Sequence, residues 1–178
     1  QMIRAGPRSH HRTGKMFCYE HYGIVPDVLC LAKALGGGLP IGCMIVKKEY
    51  ADIFKPGMHG STFAGSPLIT KAALGVLKAL QVEKMLANAK KQGVYLIEKL
   101  ETLKKKCSII KEVRGIGLMM GAELTIEGDE IFKECLSRGL IINCTQGNVL
   151  RIMPALNVTK KQIAKAMFIL EKAMESAQ

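Results

Sequence analysis

The chain lacks tryptophan and carries few aromatics, 5% in all. No apolar run approaches the length that would span a membrane, and the first residues, QMIRAGPRSHH, lack the apolar core of a secretory signal. A cytoplasmic location is the expectation. There is no C-x-x-C pair: Cys18, Cys30, Cys43, Cys107, Cys135 and Cys144 are scattered through apolar segments. That scatter argues against both zinc-ligand spacing and a small disulfide framework, and predicts reduced, mostly buried thiols. No Asp or Glu precedes Glu20.

What is present describes an ordinary soluble globular chain, 48% hydrophobic and 23% charged over 178 residues, enough for one or two domains. The net charge of +11 raises the question of nucleic acid. Lys90, Lys91, Lys99, Lys104, Lys105, Lys106 and Lys111 lie mainly on one predicted helix, without interleaved aromatics. That is the pattern of a solvated face, and an anionic cofactor with acidic substrates fits the charge as well. Neither a nucleic-acid nor a membrane partner is expected.

The most informative stretch is Pro26 to Gly38, PDVLCLAKALGGG. A short run of Val, Leu, Cys and Ala bounded by Pro and Gly predicts a buried strand, with Lys33 at its end against a flexible turn. Desolvation there would free a neutral amine able to attack carbonyl groups. The alternative is a lysine with only its stem buried and its head in water.

Along the chain, Ile41–Val46 predicts a second buried strand of the same sheet, and Lys55–Thr62 a loop. Within that loop Ser61 and Thr62, beside the amides near Gly60, are neutral donors of the kind a phosphate needs. Ser66-Pro67 opens a helix with a broad apolar stripe through Leu68, Ala72, Val76 and Leu80. A second helix follows from Met85, with Glu101 and Lys105 spaced as a supporting pair. The domain boundary is expected near Val82.

Beyond Ile109 the pattern turns to short strands and helices. Two apolar runs broken by Arg114–Gly117 precede a helix over Asp129–Arg138 that stops at Gly139. Leu140–Cys144 and Val149–Met153 are strands joined by a turn at Gln146–Asn148, and Thr159 with Gln162 opens the last helix as a capping box. Gly115, Gly117 and Gly121 are spaced one residue too widely for a dinucleotide fingerprint, and the adjacent His10-His11 cannot converge on a metal. Arg151, between Leu150 and Ile152, has the planar fork that grips a carboxylate, although an ordinary salt bridge uses the same chemistry.

Three segments in order resemble the class III aminotransferases: MFCYEHYGIVPDVLCLAKALGGGLPIG (16–42), HGSTF with SPL (59–63 and 66–68), and LRIMP (150–154). The resemblance runs from about Arg12 to the C-terminus and is nearest the acetylornithine and ornithine branch. It implies the C-terminal part of a pyridoxal-phosphate-dependent transferase type I fold, an α/β architecture. Residues 1–81 would form a partial large domain, with 1–11 atypical, and 82–178 a small α+β domain.

Through the resemblance, Lys33 would bear pyridoxal 5'-phosphate, Ser61 and Thr62 would hold its phosphate, and Gln1 would stand near the ring hydroxyl. Thr62 would serve the neighbouring subunit of a homodimer with a shared active site. Arg151 would grip the substrate α-carboxylate, while Arg114 would be structural. The implied reaction moves an amino group between N-acetylornithine, or a similar ω-amino compound, and 2-oxoglutarate, in arginine biosynthesis. The family's acidic partner of the pyridine nitrogen has no counterpart before Glu20. The chain therefore reads as the C-terminal portion of such an enzyme, completed by an N-terminal portion, or alternatively as a non-catalytic fragment that folds or dimerises.

Overall fold

A computed structural model describes residues 2–5 and 11–177. Contacts divide the chain into two units, one with Lys15–Met85 and the residues up to His11, the other with Arg12–Gly14 and the residues from Leu86 on. Each has its own sheet.

The N-terminal unit holds β1 (Met2–Ala5), β2 (Val28–Ala32), β3 (Gly42–Val46) and α1 (Pro67–Val82). β2 is central, parallel to β1 and antiparallel to β3. No strand was expected in the atypical segment 1–11, so β1 is a finding. β2 is not buried throughout as its composition suggested. Leu29 and Leu31 are buried and alternate with half-buried neighbours. The buried face packs with Leu35 and Ala73, and with Phe17, Tyr19 and Ile41 around them.

β3 departs further. It joins the expected sheet but lies at its edge, with Gly42 to Ile45 exposed. Lys47, just past its end, donates to Asp27 Oδ1 at 2.6 Å, and this bond, first among the causes, holds the Asp27 carboxyl down at about 2. In α1, Pro67 takes the first helical position, but the Ser66 hydroxyl makes no capping bond. The Ser66 carbonyl instead accepts from Thr70 N at 2.9 Å and Thr70 Oγ1 at 3.0 Å. Of the apolar stripe Leu68, Ala72, Val76 and Leu80 only Leu80 is buried, with Ala73 beside the stripe also buried; Leu68 is exposed.

The C-terminal unit contains α2 (Met85–Lys106), β4 (Ile110–Ile116), β5 (Met119–Leu124), α3 (Asp129–Ser137), β6 (Asn143–Thr145), β7 (Val149–Ile152) and α4 (Lys160–Glu175). Its sheet runs β4-β5-β7-β6, every neighbour antiparallel. Residues from all its layers meet in one core, where Leu96, Leu100, Leu118, Leu124, Ile131, Leu150, Leu170 and Met174 are no more than 1% exposed. The local signals hold here. Gly139, φ 80°, follows α3, and Thr159 with Gln162 forms the capping box. The Glu101–Lys105 pair does not form among the described residues; Lys106 reaches Glu171 on α4 at 2.7 Å instead. Nor does β6 begin at Leu140: its ladder starts at Asn143, opposite Arg151. No described helix is long and apolar enough to cross a membrane.

Candidate active site

Lys33 directly follows β2 and opens a 3-10 turn, Lys33–Gly36. The turn is anchored by its other members: Leu35 and Gly36 are buried, and at Gly37, φ 61°, an added Cβ would stand 2.9 Å from Val76 of α1. Lys33 itself has φ 57°. That left-handed setting costs an L-residue about 1–2 kcal/mol, and such strain gathers at functional positions. The ammonium is exposed on this chain, which corrects the buried position expected from its apolar neighbours. The physical reason is that β2 ends at Ala32 and the chain turns at Lys33 into the 3-10 segment with a left-handed φ, so Lys33 does not continue the buried Leu29–Leu31 face. Among the described residues Lys33 has no ion-pair partner.

Ser61 and Thr62 lie in an exposed loop. Their hydroxyls bond no protein group among the described residues, so both are available as donors. Ser61 lines a recess of about 250 Å³ with Pro40, Ile41, Gly42, Phe63 and Ser66. The recess thus joins the segment leaving the glycine turn to the Gly60–Thr62 loop. Neither Lys33 nor Thr62 is among its lining residues. Added Cβ atoms on Gly38, Gly42 or Gly60 would meet nothing within 4 Å, leaving backbone open to a flat ligand. A free amine, two unpartnered hydroxyls and open glycines fit an aldehyde carrying a phosphate. Gln1 lies outside the described residues.

Arg151 is set by its sheet. Leu150 and Ile152 point into the core, so period-two alternation sends Arg151 to the opposite face. There it is flanked by Gly121 on β5 and Asn143 on β6. Gly121 has no side chain to crowd it, and Asn143 stands at cross-strand distance. Arg114, opposite Gly121 on β4, is committed elsewhere: its Nη1 donates to Glu123 at 2.6 Å and Glu112 at 2.8 Å. Lys111 takes the other Glu123 oxygen at 2.7 Å. These bonds, that from Lys111 first, lower the Glu123 pKa. Arg151 is half-buried and has no carboxylate partner among the described residues. The ordinary salt bridge is therefore the state of Arg114, and Arg151 retains a free two-point donor.

The row Arg114–Gly121–Arg151–Asn143 was not assembled from sequence, because it needs the order β4-β5-β7-β6. Alternation within VLRI alone would have turned Arg151 away from the core.

A family model, Aminotransferase class-III, matches residues 9–174. An acetylornithine aminotransferase of Caldanaerobacter subterraneus is 48% identical over 164 residues, which cover 92% of this chain and 42% of that protein. The acetylornithine aminotransferase of Methanocaldococcus jannaschii is 50% identical over 154 residues, 85% of this chain and 38% of that protein. Among solved structures, an ornithine aminotransferase from Plasmodium yoelii superposes with a TM-score of 0.92 at 32% identity, covering 99% of this chain and 48% of that one. An acetylornithine aminotransferase from Elizabethkingia anophelis gives 0.87 at 34% identity, over 95% and 44%. The chain spans about two fifths of the length of the curated relatives it matches.

Proposed function

This chain belongs to the class III aminotransferases, and from that premise we propose that it is the lysine-bearing part of an enzyme that transfers amino groups with pyridoxal 5'-phosphate. The amino donor is an ornithine-type compound such as N-acetylornithine and the acceptor is 2-oxoglutarate, which places the reaction in arginine biosynthesis. Support comes from the acetylornithine aminotransferases among the relatives. A cytoplasmic setting accords with six free cysteines.

The cofactor, when bound, supplies the electron sink. The residues of this chain do the rest. Lys33 Nζ would hold the cofactor, and as a free amine would carry the proton removed from the substrate carbon that bears the amino group. Ser61 and Thr62 donate to phosphate oxygens, with Thr62 serving the neighbouring subunit of a homodimer. Arg151 holds a substrate carboxylate through two parallel N–H donors.

The observation that carries this reading is Lys33, an unpaired amine at a strained turn within a family match spanning residues 9–174. The test is to add pyridoxal phosphate to the chain and follow an absorbance band made permanent by borohydride. The band is expected in the wild type and lost in Lys33→Ala. A wild type with no band, or a Lys33→Ala variant that keeps it, would defeat the assignment.

A further inference from the structure

Three residues from far up the chain, Arg12–Gly14, belong to the C-terminal unit, and what they hold bears on Arg151. The Arg12 carbonyl accepts from Leu118 N at 2.7 Å, immediately before β5 begins. The Arg12 guanidinium donates through Nη1 to the carbonyl of Pro154, just past the end of β7. Met120 and Ile152 are register partners, so both bonds close the same end of the β5–β7 pair.

This strap is closely fitted. A Cβ on Gly117 would stand 2.3 Å from the Arg12 carbonyl oxygen, and one on Gly93 of α2 would stand 2.5 Å from Gly117. Thr13 is 4% exposed. Arg12 has no carboxylate partner among the described residues, and burial lowers its pKa. Placing a half-buried cation against a backbone carbonyl is a costly way to secure a loop. Farther along the connection another residue already does so, since Asn88 Nδ2 donates to Leu156 O at 2.7 Å and Val158 O at 3.0 Å. The Arg12 bond is the one next to Arg151.

We propose that Arg12 is a positioning residue for Arg151, stapling the end of β7 to the start of β5 so that the Arg151 guanidinium stays opposite Gly121, ready for a carboxylate. A one-residue slip of β7 would put Leu150 or Ile152 on that face in its place. The proposal rests on the carboxylate-binding role assigned above to Arg151.

The test uses the ¹⁵N-labelled chain as wild type, Arg12→Ala, Arg12→Lys and Arg151→Ala. Four quantities are read: amide exchange at Leu150–Ile152, the Arg151 Nε–H resonance, the thermal midpoint, and the Kd for 2-oxoglutarate. In Arg12→Ala, β7 exchange should quicken and the Kd should rise, each roughly tenfold, as expected for loss of one charged hydrogen bond. The Arg151 resonance should shift while exchange in α2 and α4 stays slow. Arg12→Lys, which keeps a charged donor, should restore most of both. Arg151→Ala should lose 2-oxoglutarate with β7 exchange unchanged.

Unaltered β7 exchange and an unmoved Arg151 resonance in Arg12→Ala would overturn the proposal. So would a uniform rise in exchange across the whole unit without rescue by lysine, which marks a purely structural residue. If the wild type binds no 2-oxoglutarate, or Arg151→Ala binds it equally well, the carboxylate role of Arg151 fails instead. The exchange and resonance measurements then still decide whether the staple exists.

Discussion

The two units carry similar apolar patterns and bury them very differently. In the C-terminal unit, α2, α3 and α4 bring their stripes together with a four-stranded sheet, and side chains such as Leu100 and Leu170 are fully enclosed. In the N-terminal unit, with a three-stranded sheet and one long helix, the buried cluster among the described residues is Leu29, Leu31, Leu35 and Ala73. Phe63 is 83% exposed there and Leu68 73%. Apolar periodicity declares which face can be buried, and a second layer must exist to bury it. Leu74 and Val82 of α1 are exposed as well, at 61% and 69%.

The sharpest way to break this contrast is by truncation. Leu100→Ala, in the closed core, should cost about 2–5 kcal/mol, whereas Leu74→Ala, on the exposed side of α1, should stay within about 0.5 kcal/mol. Urea unfolding of both variants measures it, and equal losses would mean that the two units are not differently packed. Glycine substitutions sharpen the same point with opposite signs. Gly93→Ala forces a methyl onto the backbone of Gly117 at 2.5 Å and should destabilise by about 1–3 kcal/mol. Gly75→Ala, on α1 with nothing within 4 Å, should stabilise by about 0.5–1 kcal/mol.

Acid provides a third comparison, because each unit has a depressed carboxylate. A depressed pKa contributes stability that is complete above the unfolded value and disappears as pH falls through the folded one. For Asp27, held near 2 chiefly by Lys47, the loss should begin below about pH 4 and continue to about pH 2. Glu123, lowered first by Lys111 and then by Arg114, should lose its contribution in the same direction within the C-terminal unit. Urea midpoints between neutral pH and acid should flatten selectively in Asp27→Asn and Glu123→Gln; an unchanged slope in either would show that its ion pair contributes nothing. The smallest effect concerns Thr13, whose buried hydroxyl has no partner among the described residues. Thr13→Val should be neutral or stabilise by up to about 1 kcal/mol in the same assay, since no hydrogen bond is lost. A clear destabilisation would reveal a partner for that hydroxyl.

Much of the C-terminal unit was legible because its signals are local. Gly139 ends a helix, Thr159 and Gln162 cap one, and Val149–Ile152 alternates as a strand. In the N-terminal unit the strand before Lys33 and the proline-started helix were legible too, yet their burial was not. Ile41–Val46 looks like a buried strand by composition and is an edge by topology. The spacing of Glu101 and Lys105 made them candidates for a pair, whereas the ion pair at the end of α2 is a tertiary one, Lys106 with Glu171 of α4.

The residue types themselves settled the chemistry available to this chain: an amine closing an apolar strand, hydroxyls in a glycine-bearing loop, and a guanidinium set between core leucine and isoleucine. Those are properties of short segments, fixed by covalent structure and backbone preference. Only the tertiary fold decided that Glu123 neutralises Arg114 and leaves Arg151 unclaimed, and that residue 12 reaches residue 154. Such pairings depend on strand order and on contacts between distant segments, and no local pattern encodes which strand will lie beside which.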